Sequence, residues 1–210
     1  MQESSLARRT MVDNQLRPQG VTDRGVLAAM GRVERERFVP DEARALAYFD
    51  RPLAIGQGRS MMPPAALGRL LSEASPRPGQ RALVIGAGTG YSAAVLKQIG
   101  LEVIALESDA ALASAATEAG VETVSGDLAA GWAKGAPYDL VLIAGAVEEI
   151  PASLGKQLTP DGVLVGAICD RGITRLIVGA SADGAIGWRS IADSDVAPLP
   201  GFERPRASTF

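Results

Sequence analysis

Between residues 81 and 169, short apolar runs alternate with stretches in which apolar side chains recur every three or four positions. The runs at 81–85, 102–106, 121–124, 139–144 and 162–169 read as strands, and the fourth is apolar throughout, as a strand covered on both faces must be. The stretches at 91–99, 109–119 and 151–158 read as helices, the first two stopped by Gly100 and Gly120. Strands separated by helices predict a mostly parallel, doubly wound sheet. Beyond Cys169, the runs 174–179 and 186–191 have no helix between them and predict an antiparallel edge.

The first 75 residues are patterned differently. Helical spacing covers 4–16 and 22–31, the latter through Val26, Leu27 and Met30. The arginines of 32–37 are interrupted by Glu34 and Glu36 and predict a solvated helical face. Pro52, Gly56 and Gly58 make 51–60 a loop or short hairpin. Pro63 and Pro64 can open a helix, because the first helical N–H groups have no partner to lose; Leu67, Leu70 and Leu71 would face inward. Residues 75–79 read as a linker. The expected division is a helical region over 1–75, packed as a cap on an α/β domain over 76–210.

The chain has 210 residues, a net charge of -3, one cysteine and no histidine. That length suits one globular domain with an extension. The lone Cys169 makes no internal disulfide and reads as a small buried hydrophobe. The expected setting is the cytoplasm, with no nucleic-acid partner and no membrane span. The expected assembly is a monomer or weak homodimer. Without histidine, imidazole general bases and imidazole metal ligands are unavailable, and no metal site is expected. A reaction that needs no protein base is favoured.

The run Leu83-Val84-Ile85-Gly86-Ala87-Gly88-Thr89-Gly90-Tyr91 follows a strand and opens a helix. Glycines there let backbone approach a ligand, and helix N–H groups attract negative charge. The spacing is G-x-G-x-G, without the third glycine of the dinucleotide G-x-G-x-x-G and without the lysine of a P-loop. It resembles motif I of class I methyltransferases, which bind a nucleoside with no pyrophosphate. Gly86, Ala87, Gly88, Thr89 and Gly90 are therefore expected to hold S-adenosyl-L-methionine, released as S-adenosyl-L-homocysteine. Glu107 ends the next strand, where a carboxylate can accept from both ribose hydroxyls; Ser108 flanks it. Asp127 follows the third strand and can accept from an adenine amino group, with Leu128 beside it.

Several segments then agree in order and spacing: 11–17 (Met-Val-Asp-Asn-Gln-Leu-Arg), 35–40, 47–53, the loop Ile55-Gly56-Gln57-Gly58-Arg59-Ser60, motif I, Glu107, Ser125-Gly126-Asp127 and Ala136-Pro137-Tyr138-Asp139. Over roughly residues 5–170 the chain resembles the protein-L-isoaspartate O-methyltransferase family. The resemblance implies a Rossmann-like class I fold with an N-terminal helical extension. It also implies carboxyl methylation of isoaspartyl residues in damaged proteins, which starts their repair. The family's serine after the glycine loop matches Ser60, which would orient the substrate carboxylate; the other use of a serine there is a helix N-cap before Pro63. Gln57, Gly58, Met61 and Met62 would form the substrate loop. Val84 stands where the family usually carries an acid, and Met61-Met62 also departs from the pattern. Two alternatives follow: a relative acting on another carboxylate or small molecule, and a non-catalytic binder of the same cofactor acting through protein contacts.

Overall fold

The computed structural model describes residues 2–182 and 185–204; the first residue and the last six of the two expected regions lie outside it. The chain runs through α1 (Gln2–Met11), α2 (Arg24–Met30), a hairpin of β1 (Leu53–Gly56) and β2 (Arg59–Met61), and α3 (Pro64–Ala74). It continues as β3 (Arg81–Ile85), α4 (Tyr91–Ile99), β4 (Glu102–Glu107), α5 (Ala110–Glu118), β5 (Thr123–Ser125) and β6 (Tyr138–Val147). It ends with α6 (Ala152–Gly155), β7 (Leu158–Asp170), β8 (Ile173–Ala182) and β9 (Ala185–Asp193).

Among the described residues, seven strands form one sheet in the order β5-β4-β3-β6-β7-β8-β9. The first five are parallel, and β8 and β9 return antiparallel. The chain steps outward from β3 to β5, then crosses back to place β6 on the other flank of β3. That reversal opens a crevice at the carboxyl ends of β3 and β6, the usual ligand position in such sheets. One buried cluster joins Met11, Leu16, Met30, Leu67, Leu70 and Leu71 to Val84 and Leu142. The N-terminal segments and one face of the sheet thus share a core. A second cluster on the other face holds Leu83, Ile85, Ile143 and Leu164, with Leu199 and Phe202 from the C-terminal segment.

Four expectations change. Cys169, read as a buried hydrophobe, is only half-buried, near the carboxyl end of β7. The stretch 151–158 is helical only over Ala152–Gly155, and Leu158 pairs with Tyr138 as the start of β7. Buried Gln157 fixes this bend, donating to the Ala130 carbonyl at 2.8 Å and accepting from Trp132 N at 2.9 Å. The third strand begins at Thr123, because Val121 N still donates to Ala116 O and closes the end of α5. The arginine run is not a solvated helical face: Arg35–Phe38 is a short 3-10 turn and Arg35 is fully buried.

Candidate functional site

The strand β3 ends at Ile85, and the turn into α4 carries Gly86, Gly88 and Gly90 at φ of 71°, 58° and 98°. These left-handed values favour glycine. Close packing adds a second constraint: a Cβ on Gly86 would meet Leu199 Cδ1 at 2.5 Å, and one on Gly88 would meet Ile55 Cδ1 at 2.5 Å. Gly86 N and Ala87 N both donate to the Leu106 carbonyl of β4. Thr89 Oγ1 donates to the Phe38 carbonyl at 2.6 Å, tying the turn to the N-terminal region.

Glu107 closes β4 directly beside this turn and is fully buried. Its Oε1 accepts from Ser108 N at 2.8 Å and Asp109 N at 3.2 Å, and its Oε2 accepts from Gly88 N at 2.7 Å. Arg59, from β2 of the hairpin, completes the set. Nη1 donates to Oε1 at 2.8 Å, and Nη2 donates to Oε2 at 3.2 Å and to the Gly86 carbonyl at 3.1 Å. Only 7% of Arg59 is exposed, so the pair is a buried two-pronged one. The sequence pointed to Glu107 but not to Arg59 as its partner. Nor did it place Ile55 or Leu199 over the glycines. The partners lie 48 residues apart in the chain, and only the hairpin's packing brings them together.

The hairpin turns through Gly56, Gln57 and Gly58, all at positive φ, with Gln57 and Gly58 exposed. Its second strand puts Ser60 against the glycine turn: Ser60, Met61 and Met62 line a small cavity with Ile55, Gly88 and Ala144. Met61 and Met62 are also buried in the core. Ser60 is not the cap of α3. The cap residue is Pro63, with no side-chain bond, and Asp50 Oδ1 accepts instead from Ala65 N at 2.9 Å. Buried Arg35 pins the hairpin's exit by donating to the Met62 carbonyl at 2.6 Å and the Ala47 carbonyl at 2.7 Å. Its guanidinium lies 4.6 Å from the Tyr91 ring centre. Burial lowers the Arg35 pKa and raises that of Tyr91, each partly offset by the other.

Ser108 is exposed beside Glu107, and Leu128 is buried. Asp127 is exposed just past the carboxyl end of β5, its Oδ1 accepting from Ala129 N at 3.0 Å. Val84, where the family resemblance leads one to expect an acid, is fully buried within β3.

The groups gathered here suit a nucleoside: a glycine turn, a strand-end carboxylate and a second carboxylate one strand further out. The space is another matter. The cavity along the glycine turn has a volume of about 10 Å³, room for one water against the roughly 300–1,000 Å³ of a ligand pocket. The hairpin arginine and the C-terminal Leu199 fill the rest, and Leu199 is held by its N–H donating to Ala146 O at 2.8 Å.

A doubly wound sheet with this strand order, an antiparallel edge and a G-x-G-x-G turn facing a strand-end acid defines a class I methyltransferase fold. Residues 7–177 match the protein-L-isoaspartate(D-aspartate) O-methyltransferase family, and the chain belongs to it. A relative of that name from Methylorubrum populi is 42% identical over 165 residues, covering 76% of this chain and 78% of its own. One from Rhodopseudomonas palustris is 39% identical over 206 residues, covering 93% and 84%. Among solved structures, a protein-L-isoaspartate O-methyltransferase superposes with a TM-score of 0.82 at 21% identity, covering 93% of this chain and 67% of that one. A Plasmodium falciparum β-aspartate methyltransferase, solved with S-adenosyl-L-homocysteine, gives 0.75 at 19% identity, covering 92% and 98%.

Proposed function

We propose that the protein is an S-adenosyl-L-methionine-dependent carboxyl methyltransferase acting on isoaspartyl residues of damaged proteins. The observation that carries the reading is the juxtaposition of the glycine turn at 86–90, Glu107 and the Ser60 hairpin around one crevice, in a chain of this family. The cofactor, when bound, supplies a methyl group on a sulfonium, open to in-line displacement. The residues of the chain have the remaining tasks. The glycine turn and Glu107 would hold the nucleoside, Glu107 by accepting from ribose hydroxyls, and Asp127 would accept from the adenine amino group. Ser60, Gln57 and Gly58 would orient the acceptor. A carboxylate acceptor has a pKa near ~4 and is already ionised at neutral pH, so no proton must be removed. Positioning and exclusion of water are then the main demands, and a chain with no histidine can meet them.

The expected working unit is a monomer or weak homodimer in the cytoplasm. Among the described residues, no helix is long and apolar enough to cross a membrane.

The test uses two peptides that differ only in one isoaspartyl versus aspartyl linkage, incubated with the protein and labelled S-adenosyl-L-methionine. Base-labile methyl ester should form on the isoaspartyl peptide alone. Equal labelling of both, or of neither, would remove the substrate assignment. A second reading, a family member that binds the cofactor without turnover, is favoured by buried Val84 in motif I and by Met61 and Met62 in the substrate loop; tight cofactor binding with neither peptide labelled would select it.

A further inference from the structure

We propose that Arg59 is an internal competitor of the cofactor: it occupies the ribose-binding carboxylate of Glu107 and must leave before the nucleoside can dock. The inference rests on the cofactor assignment above and adds to it the step that limits binding. A carboxylate offers about four lone-pair sites. Glu107 accepts from Ser108 N, Asp109 N, Gly88 N and both terminal nitrogens of Arg59, five contacts within 3.2 Å. Nothing remains for two ribose hydroxyls. Three of those donors are backbone groups fixed by the turn and by the start of α5. Arg59 is the one donor on a side chain that reaches in from another element, and so the one that can be withdrawn. Its Nη2 also spans to the Gly86 carbonyl, so the guanidinium lies across the space between the first glycine and Glu107.

The hairpin that carries Arg59 stands outside the main sheet. It is two short strands of four and three residues, paired with each other rather than joined to the seven-stranded sheet. Ile55 from its first strand also sits on Gly88. Withdrawing the hairpin would clear both obstacles together. Because Ser60 is the next residue after Arg59, the same motion would reposition the acceptor-binding side. Cofactor affinity is then reduced by the fraction of molecules in which Arg59 is engaged. A peptide that holds the hairpin away from Glu107 should raise cofactor affinity, and the cofactor should raise peptide affinity by the same factor.

The test is titration of S-adenosyl-L-homocysteine into wild type, Arg59→Gln, Arg59→Lys and Leu199→Ala by calorimetry, with thermal melting of each. Arg59→Gln should bind roughly 10-fold or more tightly than wild type, since the competing state loses its charge pair. Arg59→Lys keeps a cation at Glu107 with a single prong, so it should fold like wild type and bind with intermediate affinity. It supplies the measurement if the glutamine variant melts too low to titrate. Leu199→Ala should bind more tightly as well, through relief over Gly86. Equal or weaker binding by the arginine variants, beside measurable binding by wild type, would overturn the competitor role and leave the cofactor assignment standing. Absence of binding by all four folded proteins would overturn both.

Discussion

At the scale of single residues, the Arg59–Glu107 pair is the most consequential contact in the crevice. Removing one partner of a buried ion pair leaves an uncompensated charge, at a cost of about 3–5 kcal/mol. Glu107→Ala should therefore lower the unfolding free energy by about that amount and abolish cofactor binding. Arg59→Ala should be milder, because Glu107 keeps three backbone N–H donors. The double variant should be less destabilised than the sum of the two singles, which a denaturant-unfolding cycle measures; strict additivity would show that the pair is not coupled. Ser60→Ala should lower turnover on an isoaspartyl peptide while leaving S-adenosyl-L-homocysteine affinity nearly unchanged. Glu107 was legible in the sequence because a strand-end acid one βα unit after a glycine turn is a local pattern with a known geometry. Arg59 was not, because only long-range packing of a hairpin determines which side chain reaches that acid.

At the scale of elements, the hairpin and the caps decide how the site is held. The serine of the glycine loop offered two uses in the sequence, orienting an acceptor or capping the next helix. The cap interaction belongs to Asp50, whose carboxylate accepts from Ala65 N. Asp50→Ala should destabilise the fold by about 1 kcal/mol, as loss of a helix cap does, and Ser60→Ala should leave the denaturation midpoint close to that of wild type. The reverse order of effects would return Ser60 to a structural role. Element types were legible wherever periodicity or glycine stops were strong, as in α4, β4 and β6. The pattern misled where long-range contacts overrode it. Leu158 looked helical from its neighbours but is claimed by Tyr138 across β6 and β7. The arginine run looked solvated, yet Arg35 is drawn inside by two carbonyls and the face of Tyr91. The contact of Leu199 with Gly86 depends on pairing of the C-terminal segment with the end of β6.

At the scale of the whole molecule, the three tyrosines report on the packing of both faces of the sheet, two of them on the junction with the N-terminal region. Tyr48 and Tyr91 lie in the core shared by the two, and Tyr138 in the cluster on the opposite face. Burial raises the pKa of each: Tyr138 to about 12, opposed in part by Arg81, and Tyr48 and Tyr91 above the ordinary value of 10.0. Tyr48 is raised further by its hydrogen bond to Glu36. The sign of the effect on stability follows. A tyrosine whose folded pKa exceeds its unfolded one holds its proton longer in the native state, so the native protein binds more protons above pH 10. Its contribution is complete below the unfolded value near 10 and is lost as pH climbs through the folded value; for Tyr138 that window is 10 to about 12. Raising the pH should thus leave tyrosinate absorbance low until the fold gives way, and the absorbance should then rise together with the loss of helical circular dichroism. Tyr138→Phe should give up the hydrogen bond to the Trp132 carbonyl, and with it some stability at neutral pH, but should show a shallower decline between pH 10 and 12 than wild type. Gradual tyrosine ionisation centred near 10 in protein that keeps its native circular dichroism would contradict this burial, and with it the packing that joins the N-terminal region to the strand ends.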